Sequence, residues 1–202
     1  MDLMMRSLAA LSFAGLTGCA AVGVIATDDP WQQLENAQAM IEQNRPGPAE
    51  RFIEQALGEC QKPGDSLCTT AGYREYGIFF LWATPEWHIY DERFGFSDKQ
   101  ATYANRYEMA AKYFLMSEQL YSQSSKFDAV TNVALNLGFA YEALQNGAAV
   151  CQAYEVSLQA NKENVRLNPT AQVVLPEKYG TYENYISIRK QQAGCAAVNA
   201  EG

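Results

Sequence analysis

From Asp29 onward the apolar residues recur at intervals of three and four and seldom alternate, the pattern of helices that each bury one stripe. Asp29-Pro30 with Gln32 supplies an N-cap, a proline at the first helical position and a capping-box partner, predicting a helix to about Gln43. Asn44-Arg45-Pro46-Gly47 reads as a turn, and Pro48 opens a second helix carrying Phe52, Ile53, Ala56 and Leu57. Cys60 to Cys68, with Pro63-Gly64-Asp65 between them, reads as a loop. A third helix covers about Thr70 to Ala83. Ser97 with Gln100 predicts a capping box for a helix running to about Ser122. Val130, Val133, Ala134, Leu137, Tyr141 and Leu144 mark the next helix, which Asn146-Gly147 ends, and Val150, Ala153, Tyr154 and Leu158 mark the one after. Asn168 to Pro176 reads as extended, and Tyr182, Ile186 and Arg189 suggest a last helix reaching Cys195. The expected fold is all-α, since one-striped helices must cover one another.

The stripes share a register. Gly138, Tyr141, Val150, Tyr154 and Ser157 are spaced three, nine, four and three apart, and so are Ala37, Met40, Ala49, Ile53 and Ala56. This spacing resembles the helical hairpin of tetratricopeptide repeats, in which small residues sit where the two helices cross. Gly77, Phe80, Ala110, Phe114 and Ser117 follow the same order, but 30 residues separate Phe80 from Ala110 where the pattern has nine. The resemblance therefore implies a TPR-like stack of helical hairpins over residues 29–202, with about 21 extra residues in the middle pair, centred on about 84–98.

The segment before Asp28 is different in kind. Only Asp2 and Arg6 are charged in the first 27 residues, and an apolar run leads into Leu16-Thr17-Gly18-Cys19. That tetrapeptide resembles the lipobox of bacterial lipoproteins. The resemblance implies a signal peptide over 1–18, cleavage before Cys19, acylation of Cys19 and a lipidated linker over 19–28. Three acyl chains, at about 0.8 kcal/mol per buried methylene, hold a domain on a membrane without any spanning helix. By the same resemblance Ala20, in place of an aspartate, directs the protein to the outer membrane of a Gram-negative bacterium, facing the periplasm. The 21 uncharged residues between Arg6 and Asp28 are also long enough to serve as an uncleaved anchor.

Either way the rest of the chain lies where disulfides form. Cys60, Cys68, Cys151 and Cys195 allow three pairings; Cys60 with Cys68 and Cys151 with Cys195 is preferred, because each then staples neighbouring elements. No Cys-x-x-Cys pair is present and the one histidine, His88, is remote in sequence from every cysteine, so no metal site is expected.

Composition narrows the function. The chain has 202 residues, 48% hydrophobic and 19% charged, with 15 basic against 23 acidic side chains and a formal charge of -8. This suits one globular domain and argues against nucleic acid, whose phosphates need clustered cations. No nucleophile elbow, phosphate loop or haem-attachment motif occurs, and no cofactor is expected. Glu86, Asp91 and Glu92 around His88 are the nearest thing to an acid and base pair, but surface carboxylates are common and no catalytic residue is assigned. The insertion is rich in rings: Phe79, Phe80, Trp82, Trp87, Tyr90, Phe94 and Phe96. The expectation is that Phe79, Phe80 and Trp82 point inward while Trp87, His88, Tyr90 and Phe94 form a partner-binding surface. The function read from these features is a membrane-anchored periplasmic lipoprotein that binds another envelope, secretion-system or effector protein, as an assembly or accessory factor. An immunity lipoprotein that neutralises a periplasmic effector is the narrower alternative, and an enzyme acting on envelope glycan or lipid the more distant one.

Overall fold

The computed structural model describes residues 27–60, 66–171, 173 and 175–195, so the lipobox and Cys19 lie outside the described residues. Within them eight α-helices follow in order: α1 Pro30–Glu42, α2 Pro46–Cys60, α3 Ser66–Leu81, α4 Pro85–Phe94, α5 Arg106–Gln123, α6 Phe127–Ala143, α7 Gly147–Leu167 and α8 Tyr182–Gln192. A 3-10 turn over Glu177–Tyr179 precedes α8, and no strand occurs among the described residues. Helices α1 and α2, α3 and α5, and α6 and α7 pair as antiparallel hairpins; α2 packs on α3, α5 on α6, and α8 closes the stack against α7. The fold is all-α and its stacked hairpins are consistent with a TPR-like arrangement.

Turn chemistry makes the hairpins tight. Asn44, Ser125 and Gln145 each take positive φ, at 57°, 52° and 56°. The amide following each donates to the carbonyl five residues back, at Met40, Tyr121 and Tyr141, and thereby satisfies the frayed helix end.

The hairpins share one internal geometry. A Cβ added to Gly77 would stand 2.5 Å from the Phe114 ring, and one added to Gly138 would overlap the Tyr154 ring. Ser117 Oγ donates to the Thr70 carbonyl at 3.0 Å and Ser157 Oγ to the Thr131 carbonyl at 2.6 Å, each acceptor lying seven residues before its glycine. In the first hairpin Ala37, Ile53 and Ala56 occupy the same places and are fully buried. The repeat register read from spacing is thus a register of contacts.

Some boundaries differ from the pattern. Helix α2 starts at Pro46, because both prolines fit in a first turn where no amide donor is needed. Ser97 starts no helix: its amide donates to Glu50 Oε1 at 2.7 Å, and the Gln100 amide to Asp98. Helix α5 begins only at Arg106, behind a reciprocal bond between Thr102 and Asn105. The insertion contains a ten-residue helix, α4, with Pro85 in its first turn and Gly95 at φ 69° where it stops.

Cys60 is bonded to Cys68 across the α2–α3 connection, with Cα atoms 5.4 Å apart, and Cys151 on α7 to Cys195 beyond α8, with Cα atoms 5.6 Å apart. The second bond is reinforced: Tyr182 and Ile186 are buried beside Val150 and Tyr154, Arg189 pairs with Glu142, and Lys190 reaches Glu155 at 2.8 Å.

Replacing Gly138 or Gly77 with alanine forces a methyl into a ring, and overpacking of this kind costs about 1–3 kcal/mol. Gly58→Ala is the control, since a Cβ there meets nothing within 4 Å and a helix gains up to about 1 kcal/mol from the change. Denaturant unfolding should rank Gly58→Ala above the wild type and both core variants below it; an unchanged Gly138→Ala would show that the crossing is loose.

Candidate functional site

The rings of the insertion are largely core. Trp87 is 0% exposed, its ring centre 4.4 Å from that of Phe79, and its Nε1 donates to Asn44 Oδ1 at 2.5 Å. Phe96 is buried against Phe79 and Phe80. Tyr90 is half-buried and donates its hydroxyl to Glu50 at 3.0 Å. The expected exposure of Trp87 is therefore corrected: α4 folds back over the ends of the first two hairpins and presents that indole to the gap between them. Of the four residues read as a partner surface, only His88 and Phe94 are exposed, Phe94 at 72%. His88 Nε2 stands 3.6 Å from Glu92 and its ring 5.3 Å from that of Tyr103.

The carboxylates of the insertion serve separate local contacts. Glu86 accepts from the Thr84 hydroxyl at 2.6 Å and the Asn44 amide at 3.3 Å, and the Thr84 bond first of all holds it below the usual carboxylate range. Asp91 accepts from the Tyr103 amide at 2.8 Å, which pins the loop before α5. Glu92 faces His88. Among the described residues no cluster of three or more His, Cys, Asp or Glu could hold a metal ion, and no helix is long and apolar enough to cross a membrane.

Trp82 takes the opposite place from the one expected, 58% exposed. Phe79 and Phe80 face the core, and Trp82 lies on the far side of the turn, in a stripe with Arg74 and Ile78 at four-residue spacing. That stripe forms the floor of a groove of about 550 Å³ between the inner helices of the three hairpins. Gln38, Ile41 and Glu42 of α1 form one wall, and Asn132 and Asn136 of α6 the other. Gln38 and Arg74 also line an adjoining hollow of about 170 Å³ that reaches Trp31, so an exposed tryptophan stands at each end of the concave face. These residues escape a search for clustered chemistry. Their signal is register: they occupy the inner helices and, in Trp82, the position just past the end of α3, at places other than the buried crossings.

The centre of the groove carries one cation. Arg74 Nη2 lies 3.5 Å from Glu75 Oε2, while Arg74 Nε and Glu75 Oε1 have no hydrogen-bond partner. Burial pushes the Glu75 carboxyl above its ordinary range, with Arg74 pulling the other way. No family model, no curated protein and no solved structure matches the chain.

Glu50 is the other unusual carboxyl. It is 1% exposed and joins the first hairpin to the insertion through Tyr90 and Ser97. Burial raises it to about 7; the Ser97 and Tyr90 bonds and Lys99 act downward, and Glu54 upward. The folded value lies above the unfolded one, so its stabilising contribution is complete below the ordinary 4.5 and is lost as pH rises through about 7. The full effect is about 3 kcal/mol. Glu50→Gln keeps an acceptor for the Ser97 amide and cannot ionise. Melting curves from pH 5 to 8 should show the wild type losing stability relative to Glu50→Gln, whereas a wild type that gains relative to the variant would mean that the bonds hold the ionised form.

Proposed function

We propose that the protein is a lipid-anchored, periplasm-facing accessory or assembly factor that binds a segment of another envelope or secretion protein in the groove between α1, α3 and α6. The observation that carries this reading is the stripe at the floor of a concave face, in which half-buried Arg74 and Ile78 lead to the exposed Trp82. An exposed indole together with Ile41 and Ile78 in the same groove supplies apolar area to an interface, as aromatic anchors do. The Gln38 and Asn136 amide nitrogens donate to Glu42 and Asn132, which fixes these side chains so that the Gln38 and Asn136 amide oxygens and the Asn132 amide nitrogen can meet a peptide main chain. Arg74 suits a carboxylate of the incoming segment.

A photo-crosslinking residue placed at Ile78 or Gln38, in cells that make the protein, should trap one dominant envelope protein. The same residue at Leu115, exposed on the outer helix α5, should not. Arg74→Gln should lower the yield from Ile78 about tenfold, the loss of roughly 1.4 kcal/mol. Crosslinks from Leu115 or Phe94 but none from Ile78 and Gln38 would place binding elsewhere.

A further inference from the structure

The antiparallel hairpins give the stack two unlike ends. The inner helices α1, α3 and α6 begin, and the outer helices α2, α5 and α7 finish, at the same end: Ser117 meets Thr70, Ser157 meets Thr131, and Leu34, Ala56 and Ala71 pack together. The described chain also starts there. Thr27 is fixed to α1, its carbonyl accepting from Gln33 Nε2 at 3.0 Å and its hydroxyl from the Asp29 amide at 3.0 Å.

Eight residue steps separate Cys19 from Thr27, and even a fully extended chain of that length spans only about 28 Å. An inner helix such as α3, with 16 residues, is itself about 24 Å long. A lipid on Cys19 therefore keeps the starting end of α1 within about one helix length of the bilayer. Confinement of this kind raises the local concentration of whatever that end exposes, so weak apolar contacts become occupied.

Among the charged and polar side chains that it exposes, such as Asp28, Asp29, Lys162 and Arg166, stand large apolar ones. Trp31 at the first turn of α1 is 45% exposed, and Val165, Leu167 and Val173, at and just after the end of α7, are also exposed. Helix α7 is the longest described, at 21 residues, and carries Val165 and Leu167 on its final turn. An indole is suited to a bilayer interface, where its ring meets acyl chains and its N–H meets headgroups. With a formal charge of -8 the protein has no long-range attraction to anionic phospholipid, so the tether and these side chains must supply the contact. The rival apolar group, Trp82 just past the finishing end of α3 with Ile89 and Phe94 on α4, is carried away from the tether.

We infer that the end of the stack bearing Trp31, Val165, Leu167 and Val173 docks on the phospholipid surface, so that the groove runs away from the membrane with Trp82 at its distal end. This rests on the lipidation of Cys19.

The test uses the full lipidated chain, extracted from membranes and reconstituted into phosphatidylethanolamine–phosphatidylglycerol vesicles with and without brominated acyl chains. Bromine quenches only tryptophans that reach the acyl region. Quenching is expected in the wild type and in Trp82→Phe, and is expected to vanish in Trp31→Phe. A chain that takes up a palmitate analogue and floats with the vesicles, yet shows no quenching, overturns the docking while the lipid anchor stands. Quenching that survives Trp31→Phe and vanishes in Trp82→Phe overturns the orientation. A chain that neither takes up the analogue nor floats overturns the docking and the anchor together.

Discussion

Two helices of a hairpin approach closely only where one of them gives up its side chain, and in this protein that place is filled by a ring from the other. Gly77 receives Phe114 and Gly138 receives Tyr154. Everything downstream depends on these two crossings. They fix how deeply each outer helix seats on its inner helix, which brings the serine hydroxyl of the outer helix to a carbonyl at the start of the inner one. The first hairpin reaches the same geometry with Ala37 and Ile53, a milder use of the same rule.

The insertion answers a problem that the repeat leaves open. At the α1–α2 turn Asn44 takes a left-handed conformation, and its side chain accepts from Trp87 and donates to Glu86. Glu50, near the start of α2, receives Tyr90 and the Ser97 amide. These polar contacts and a buried indole thus clasp the insertion to the first hairpin, while Phe79 and Phe80 hold the same rings from the second. The clasp braces the two inner helices whose exposed sides carry most of the groove. Its rings support the site from behind.

Much of this was legible in the chain itself. Three-and-four periodicity gave helices, and the repeat interval gave the crossings at Gly77 and Gly138, because both patterns are local and each crossing needs a small residue at a fixed place. The disulfide pairing followed from which elements are neighbours. Trp82 and Trp87 exchanged roles for a physical reason. A helix packed on two sides has apolar residues nearly all round, so its own period does not say which side stays open. The answer came from α4, a third layer contributed by the insertion. Ser97 misled for a similar reason: an amide that looked available for a helix cap is bonded by a glutamate 47 residues away. Long-range polar contacts leave little trace in local sequence. The groove was readable only after the register had named the inner helices.

In the proposed division of labour the insertion holds the fold and the concave face binds the partner, and the two tryptophans separate these roles. Denaturant unfolding of Trp87→Ala and Trp82→Ala, with the Ile78 crosslink measured per folded molecule in each, tests it most directly. Trp87→Ala is expected to lose about 3–5 kcal/mol of stability and to keep its crosslink. Trp82→Ala is expected to stay within about 1 kcal/mol of the wild type and to lose the crosslink. A stable Trp87→Ala that no longer binds, beside a Trp82→Ala that still does, would contradict it.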